Sequence, residues 1–116
     1  MKKFNIVKKN EDFKKVIKNG RYYKNPCFVI YIYNNNLNHY RFGISVSKKL
    51  GNAVVRNKIK RQMRNIIDKY KNYYSNQLDY IIIVKKDYNM RSFNEVENNF
   101  LTILESIKKR RSKNEK

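Results

Sequence analysis

Asn57, Lys60, Arg61 and Arg64 stand at i, i+3, i+4 and i+7. At about 100° of turn per residue, a helix puts all four on one face. Cations and an amide grouped in this way suit hydrogen bonding to phosphate oxygens. They lie within Lys48 to Lys71, KKLGNAVVRNKIKRQMRNIIDKYK, which holds nine Lys or Arg residues and one acid, Asp68. A merely solvated helix face mixes signs to gain i,i+4 pairs. This one sets like charges a turn apart and gains almost no such pairs. A polyanionic partner offsets that repulsion, so a nucleic-acid surface is expected over a plain soluble face.

Other chemistry finds few residues. His39 is the only histidine, so a His-based acid–base pair cannot be built. One Cys and one His cannot make a zinc site. The nine acids include no D-x-D or E-x-x-E cluster suited to catalytic Mg²⁺. Gly20, Gly43 and Gly51 are too dispersed for a phosphate-cradling loop. Glu95 and Glu97 fit a solvated helix face. The chain reads as a binder, not a self-sufficient catalyst, and a stand-alone nuclease is disfavoured.

Several elements must position the basic face. From Ala53 on, Val55, Ile59, Met63, Ile66 and Tyr70, with Ile67 beside them, form an apolar stripe opposite the cations, so the helix docks on a core. An earlier helix is capped by Asn10, carries Glu11 and Asp12 in its first turn, and stops at Gly20. Its stripe of Phe13, Val16 and Ile17 is most simply core packing. Cys27 to Tyr33, CFVIYIY, and Arg41 to Ser47, RFGISVS, flank a polar loop and read as an antiparallel hairpin. Phe28, Ile30, Ile32, Phe42, Ile44 and Val46 make its apolar face. Val29, Tyr31 and Tyr33 share the other face with Arg41, Ser45 and Ser47. Tyrosines beside basic groups suit stacking on single-stranded RNA, and tyrosines equally tolerate a half-exposed strand; both readings stand.

Asp79 to Val84, DYIIIV, suits a strand covered on both faces. With the preceding strand and the helix of about 18 residues between them, it makes a β-α-β unit with a parallel pair. Ser92 and Glu95 form a capping box for a last helix with Val96, Phe100, Ile103, Leu104 and Ile107 as its stripe. The expected fold is α+β, a single-domain sandwich over residues 1–116 in the order α-β-β-α-β-α. Its basic end, from about 110 to 116, frays or lies along phosphates.

At 116 residues the chain supports one modest core, and its formal net charge of +19 points to nucleic acid first and an anionic membrane second. The single Cys27 fits a reducing compartment and a buried thiol. No segment has the roughly 18 apolar residues of a membrane span, and no signal peptide is evident. A cytoplasmic protein is expected.

Residues 43–64, GISVSKKLGNAVVRNKIKRQMR, closely resemble the signature of the bacterial ribonuclease P protein subunit: S-V-S-K-K, then G-N-A-V, then R-N-x-I-K-R-x-x-R. KKNEDFKKVIKNG resembles that family's first helix and DYIIIVKK its last strand. The resemblance implies a small basic partner of a catalytic RNA that removes the 5′ leader of precursor tRNA. The RNA would perform the hydrolysis with Mg²⁺ that it mainly holds itself, and the protein alone would be inactive. The protein would bind the leader and raise the affinity for the metal ions that catalysis needs. A ribosomal, rRNA-binding protein is the alternative; it would copurify with ribosomes and leave tRNA 5′ ends unaffected when depleted.

The same resemblance assigns contact with the RNA subunit to Arg56, Asn57, Lys58, Lys60, Arg61 and Arg64. It assigns leader binding to Phe13, Ile17, Val29, Tyr31, Ser45, Ser47 and Lys48, in a groove between the first helix and the sheet. Phe13 thereby moves from core packing toward leader contact. Catalytic RNA and precursor tRNA are the implied partners, with no obligate protein partner. Two positions depart from the pattern. Lys58 stands where the family often has Arg and loses the bidentate fork; Ile17 stands where a second aromatic is common. The resemblance also implies a ribosomal-protein-like fold with a left-handed β-α-β crossover, against the usual right-handed preference.

Overall fold

The computed structural model describes residues 6–7 and 10–114, with side chains to Lys109. Helix α1 spans Asn10–Asn19, and strands β1, β2 and β3 span Arg21–Lys24, Phe28–Asn34 and Arg41–Val46. Helix α2 covers Ala53–Lys69, strand β4 Leu78–Val84 and helix α3 Phe93–Asn114. The architecture is α+β in the expected order, with the short β1 added ahead of β2. The part of the expected tail comprising residues 115 and 116, and the side chains from Arg110, lie outside the described residues.

Local signals explain the boundaries. Asn52 Oδ1 accepts the Val55 N–H at 3.0 Å and opens α2. Ser92 Oγ accepts the Glu95 N–H at 3.2 Å and opens α3. At the end of α1, the Gly20 N–H reaches the Val16 carbonyl at 2.7 Å. A Cβ on Gly20 would sit 2.4 Å from the Ile32 carbonyl oxygen, so only glycine lets α1 turn directly into β1.

The strands lie in the order β1-β2-β4-β3. β2 and β3 are therefore not a hairpin, which corrects the sequence expectation. β4 lies between them, antiparallel to β2 and parallel to β3. The reason is burial: five of its seven residues, Leu78 to Ile82, are buried consecutively, and an edge position would leave part of that surface wet. The antiparallel neighbours in sequence are β1 and β2. The β3-α2-β4 unit is the expected parallel pair.

One sheet face, carrying Phe28, Ile30, Phe42, Tyr80 and Ile82, packs against Ile59, Met63, Ile66 and Ile67 of α2 and Val96, Phe100 and Leu104 of α3. Cys27 is buried there, as expected, near the Asn99 amide. Among the described residues the second face is covered by α1 and Val7: Val16 packs with Val7 and Ile81 in a small separate cluster flanked by Phe13 and Tyr31. The Phe13 ring lies directly over Gly43; a Cβ there would come within 2.5 Å of Cζ and 2.8 Å of Ile81 Cδ1.

At one end of this face Arg41 grips buried Asp79 through Nε at 2.8 Å and Nη2 at 2.6 Å, and Asn35 Nδ2 adds a third donor at 2.8 Å. Hydrogen bonding to Asp79 raises the Arg41 pKa above its ordinary value. Arg41 Nη1 also reaches Asp12 of α1 at 3.4 Å, tying the helix to the sheet.

Arg41→Ala strands the Asp79 carboxylate and is expected to cost about 3 kcal/mol in urea unfolding; a loss below about 1 kcal/mol would show that Asn35 and water suffice. Gly43→Ala is expected to cost about 1–3 kcal/mol by overpacking. In a Phe13→Ala background that cost should shrink, and full additivity in a double-mutant cycle would deny the ring–glycine contact.

Candidate nucleic-acid interface

The strand register resolves the α1 face into rows running across the sheet. One row joins Tyr22, Tyr31, Ile81 and Gly43; the next joins Lys24, Val29, Ile83 and Ser45. The ten-residue α1 covers Ile81 fully but leaves Tyr31, Val29 and Ile83 half-buried and Ser45 exposed. The outcome is a shallow groove whose floor is apolar and whose wall is α1 with Phe13. Such a floor offers flat rings and methyl groups to bases, with polar groups at its ends.

Of the expected leader-binding residues, Phe13, Val29, Tyr31 and Ser45 converge on this groove. Ile17, at 38% exposure, lies on the open side of α1. Ser47 and Lys48 sit beyond β3, where Ser47 Oγ accepts the Lys49 N–H at 3.2 Å and shapes a 3-10 turn over Lys48–Leu50. Both are exposed. Tyr33, expected on the same face, lies in the Asp79 row beside Arg41, with Lys15 Nζ 5.8 Å from its ring centroid. Sequence reasoning missed Ile83, Tyr22 and Lys24. The alternation within DYIIIV carried the signal for Ile83, because Ile81 and Ile83 must share a face.

The expected RNA-contacting residues of α2 fall in four places. Lys60 and Arg64 overhang the β3 edge, where they line a hollow of about 110 Å3 together with Phe13, Gly43 and Val7. Asn57 and Arg61 are exposed on the outward side. Lys58 faces the opposite flank and shares a cleft with Gln62, Asn89 and Arg91. The six residues are thus not a single face, because Lys58 lies about 120° around the helix from Arg64. Arg56 sits nearest the core, with its Nε buried and without a hydrogen-bond partner.

Among the described residues no carboxylate pairs with Arg56, Lys58, Lys60, Arg61 or Arg64. By contrast Lys69, one turn beyond, is held by Glu97 at 2.8 Å, and Glu97 also accepts the Tyr70 hydroxyl at 2.7 Å. Bonding to Lys69 and then Tyr70 lowers the Glu97 pKa, and the same carboxylate raises the pKa of both donors. The helix pairs its cation at the α3 end and leaves five others without a carboxylate partner among the described residues. No group of three or more His, Cys, Asp or Glu side chains among the described residues could hold a metal ion. No helix among them is long and apolar enough to cross a membrane.

A family model described as Ribonuclease P matches residues 1–108. A Streptococcus pneumoniae protein named ribonuclease P protein component is 44% identical over 108 residues, 93% of this chain and 88% of its own length. The solved RNase P protein of Staphylococcus aureus superposes with a TM-score of 0.81 at 38% identity, over 89% of this chain and 94% of that one. The RNase P protein from Thermotoga maritima gives 0.76 at 29% identity, over 84% and 93%. None of these matches favours the ribosomal alternative. With a family match running from residue 1 to residue 108 and a relative 44% identical over the same length, the chain belongs to the ribonuclease P protein family.

Proposed function

We propose that this chain is the RNA-binding subunit of ribonuclease P and contacts two RNA segments at once. The basic face of α2 meets the catalytic RNA, and the groove beside α1 takes the single-stranded 5′ leader of precursor tRNA. One observation carries the reading: Lys60 and Arg64 line the same hollow as Phe13 and Gly43. The phosphate-binding face and the leader groove therefore adjoin at the β3 edge. An RNA bound on α2 would deliver its substrate strand into the groove without crossing the protein core.

In this reading Lys60, Arg61 and Arg64, with Asn57, bind phosphates of the catalytic RNA, and Arg56 and Lys58 extend the contact along either flank. Tyr31 stacks on a leader base; Phe13, Val29 and Ile17 give apolar contact; Ser45, Ser47 and Lys48 meet the backbone. Catalysis belongs to the RNA. Mg²⁺ held by RNA phosphates, not by this chain's side chains, would supply activation of the attacking water and stabilisation of the leaving oxygen. The chain's own contribution is to hold the leader in place and to lower the phosphate repulsion that opposes metal and substrate.

Cleavage of leader-bearing precursor tRNA at limiting Mg²⁺ tests the assignment. The protein alone should be inactive, and it should raise cleavage at the mature 5′ end only with bacterial ribonuclease P RNA present. Tight RNA binding without that gain would refute the subunit role. Neutralising Lys60, Arg61 and Arg64 to Gln should flatten the salt dependence of RNA binding, by about 0.7 to 0.9 log units of slope for each phosphate the protein no longer neutralises. An unchanged slope would remove this face from the interface. Tyr31→Ala should cost about 1–3 kcal/mol in binding precursor tRNA and almost nothing with mature tRNA. Equal losses on both would take Tyr31 out of the groove.

A further inference from the structure

The groove does not stop at Tyr31. Tyr22 of β1 is the direct register partner of Tyr31, on the same face, and its ring centroid lies 5.8 Å from that of Tyr31 at a tilt of 44°. Tyr22 is 59% exposed, by far the more open of the two. One register step away on this face, Lys24 is exposed and stands opposite Val29. Neither side chain is buried in the core, although the Tyr22 ring touches Tyr31. Tyr22 belongs to neither apolar cluster and Lys24 has no carboxylate partner among the described residues. An exposed ring on an edge strand is a liability for strand-to-strand association unless something covers it.

We propose that Tyr22 and Lys24 form a separate subsite for one further unpaired nucleotide of RNA, with the base on the open face of Tyr22 and its phosphate at Lys24. This rests on the leader reading of the groove and extends it. The bound strand then crosses the whole sheet, from Ser45 on β3 to β1, a path of about 14 Å over three interstrand gaps of about 4.8 Å each. Tyr22 is the outermost ring, so it is reached only by a leader long enough to pass Tyr31. Because stacking accepts every base, the subsite reads leader length and not leader sequence.

The test uses holoenzyme reconstituted with bacterial ribonuclease P RNA and precursor tRNAs whose leaders lengthen one nucleotide at a time, with affinity as the readout. Tyr31→Ala should lose affinity from short leaders onward. Tyr22→Ala should match the wild-type protein on short leaders and then fall about tenfold below it once the leader reaches β1. Tyr22→Phe should restore the long-leader affinity, because the ring and not the hydroxyl stacks. If Tyr22→Ala follows the wild-type protein at every length while Tyr31→Ala still loses, the subsite is refuted and the leader groove stands. If Tyr22→Ala loses equally at every length, mature tRNA included, Tyr22 acts through the fold and the subsite is refuted. If neither alanine variant responds to leader length, the leader reading itself fails and the subsite with it.

Discussion

A four-stranded sheet has two faces to keep dry, and this chain has unequal means to do it. Two long helices cover most of one face, and a helix of ten residues, with Val7 beside it, lies on the other. Everything distinctive about the molecule follows from that shortfall. Ile81 is sealed by Val16, Val7 and Phe13, whereas Tyr31, Val29 and Ile83 around it are left half-wet. A groove made in this way needs no special backbone. It is the strip of a sheet that the covering helix is too short to reach. Its depth is set by how closely α1 can approach, which is why Gly43, lacking a Cβ, sits under the Phe13 ring.

The charge is distributed by the same economy of burial. The acids that matter structurally are used inside or between elements: Asp79 and Asp12 on Arg41, Glu97 on Lys69 and Tyr70. With 28 Lys or Arg residues against nine acids, the formal net charge is +19, so most cations have no acid to pair with. The five cations of α2 without a carboxylate partner among the described residues repel one another across a turn of helix, and the apolar stripe beneath them holds the helix in place against that repulsion. In the proposed reading, phosphates bound at this face would relieve that repulsion. On that reading binding would be electrostatic at α2 and contact-driven in the groove, the two adjoining at the hollow that Lys60, Arg64 and Phe13 line.

Most of the elements were legible because each carried a local signal. The α2 stripe, the Asn52 cap and the Ser92–Glu95 box are periodicity and capping, which depend only on near neighbours. The misjudged part is non-local. Two β-rich runs around a polar loop look like a hairpin, and nothing within residues 27–47 says that a strand from far later in the chain will lie between them. The hint was in β4 itself, whose consecutive apolar residues on both faces require neighbours on both sides. Site residues followed the same division. Phe13, Tyr31 and Ser45 came from alternation and resemblance, whereas Ile83, Tyr22 and Lys24 enter the groove only once the strand order is known. Lys58 separates from Lys60 because adjacent charges in sequence diverge around a helix.

The central position of β4 also dictates the order in which the molecule can assemble. As the chain is synthesised, β2 and β3 are both complete before residue 78 appears, and each then presents an inner edge with unpaired N–H and C=O groups. The sheet cannot close until the chain beyond α2 has been made and β4 lies between them, a pairing of segments far apart in sequence. During that interval the open edges are templates for pairing with other chains. The excess of positive charge that serves RNA in the finished protein is then a second kind of protection, keeping unfinished copies apart by mutual repulsion until the last strand arrives.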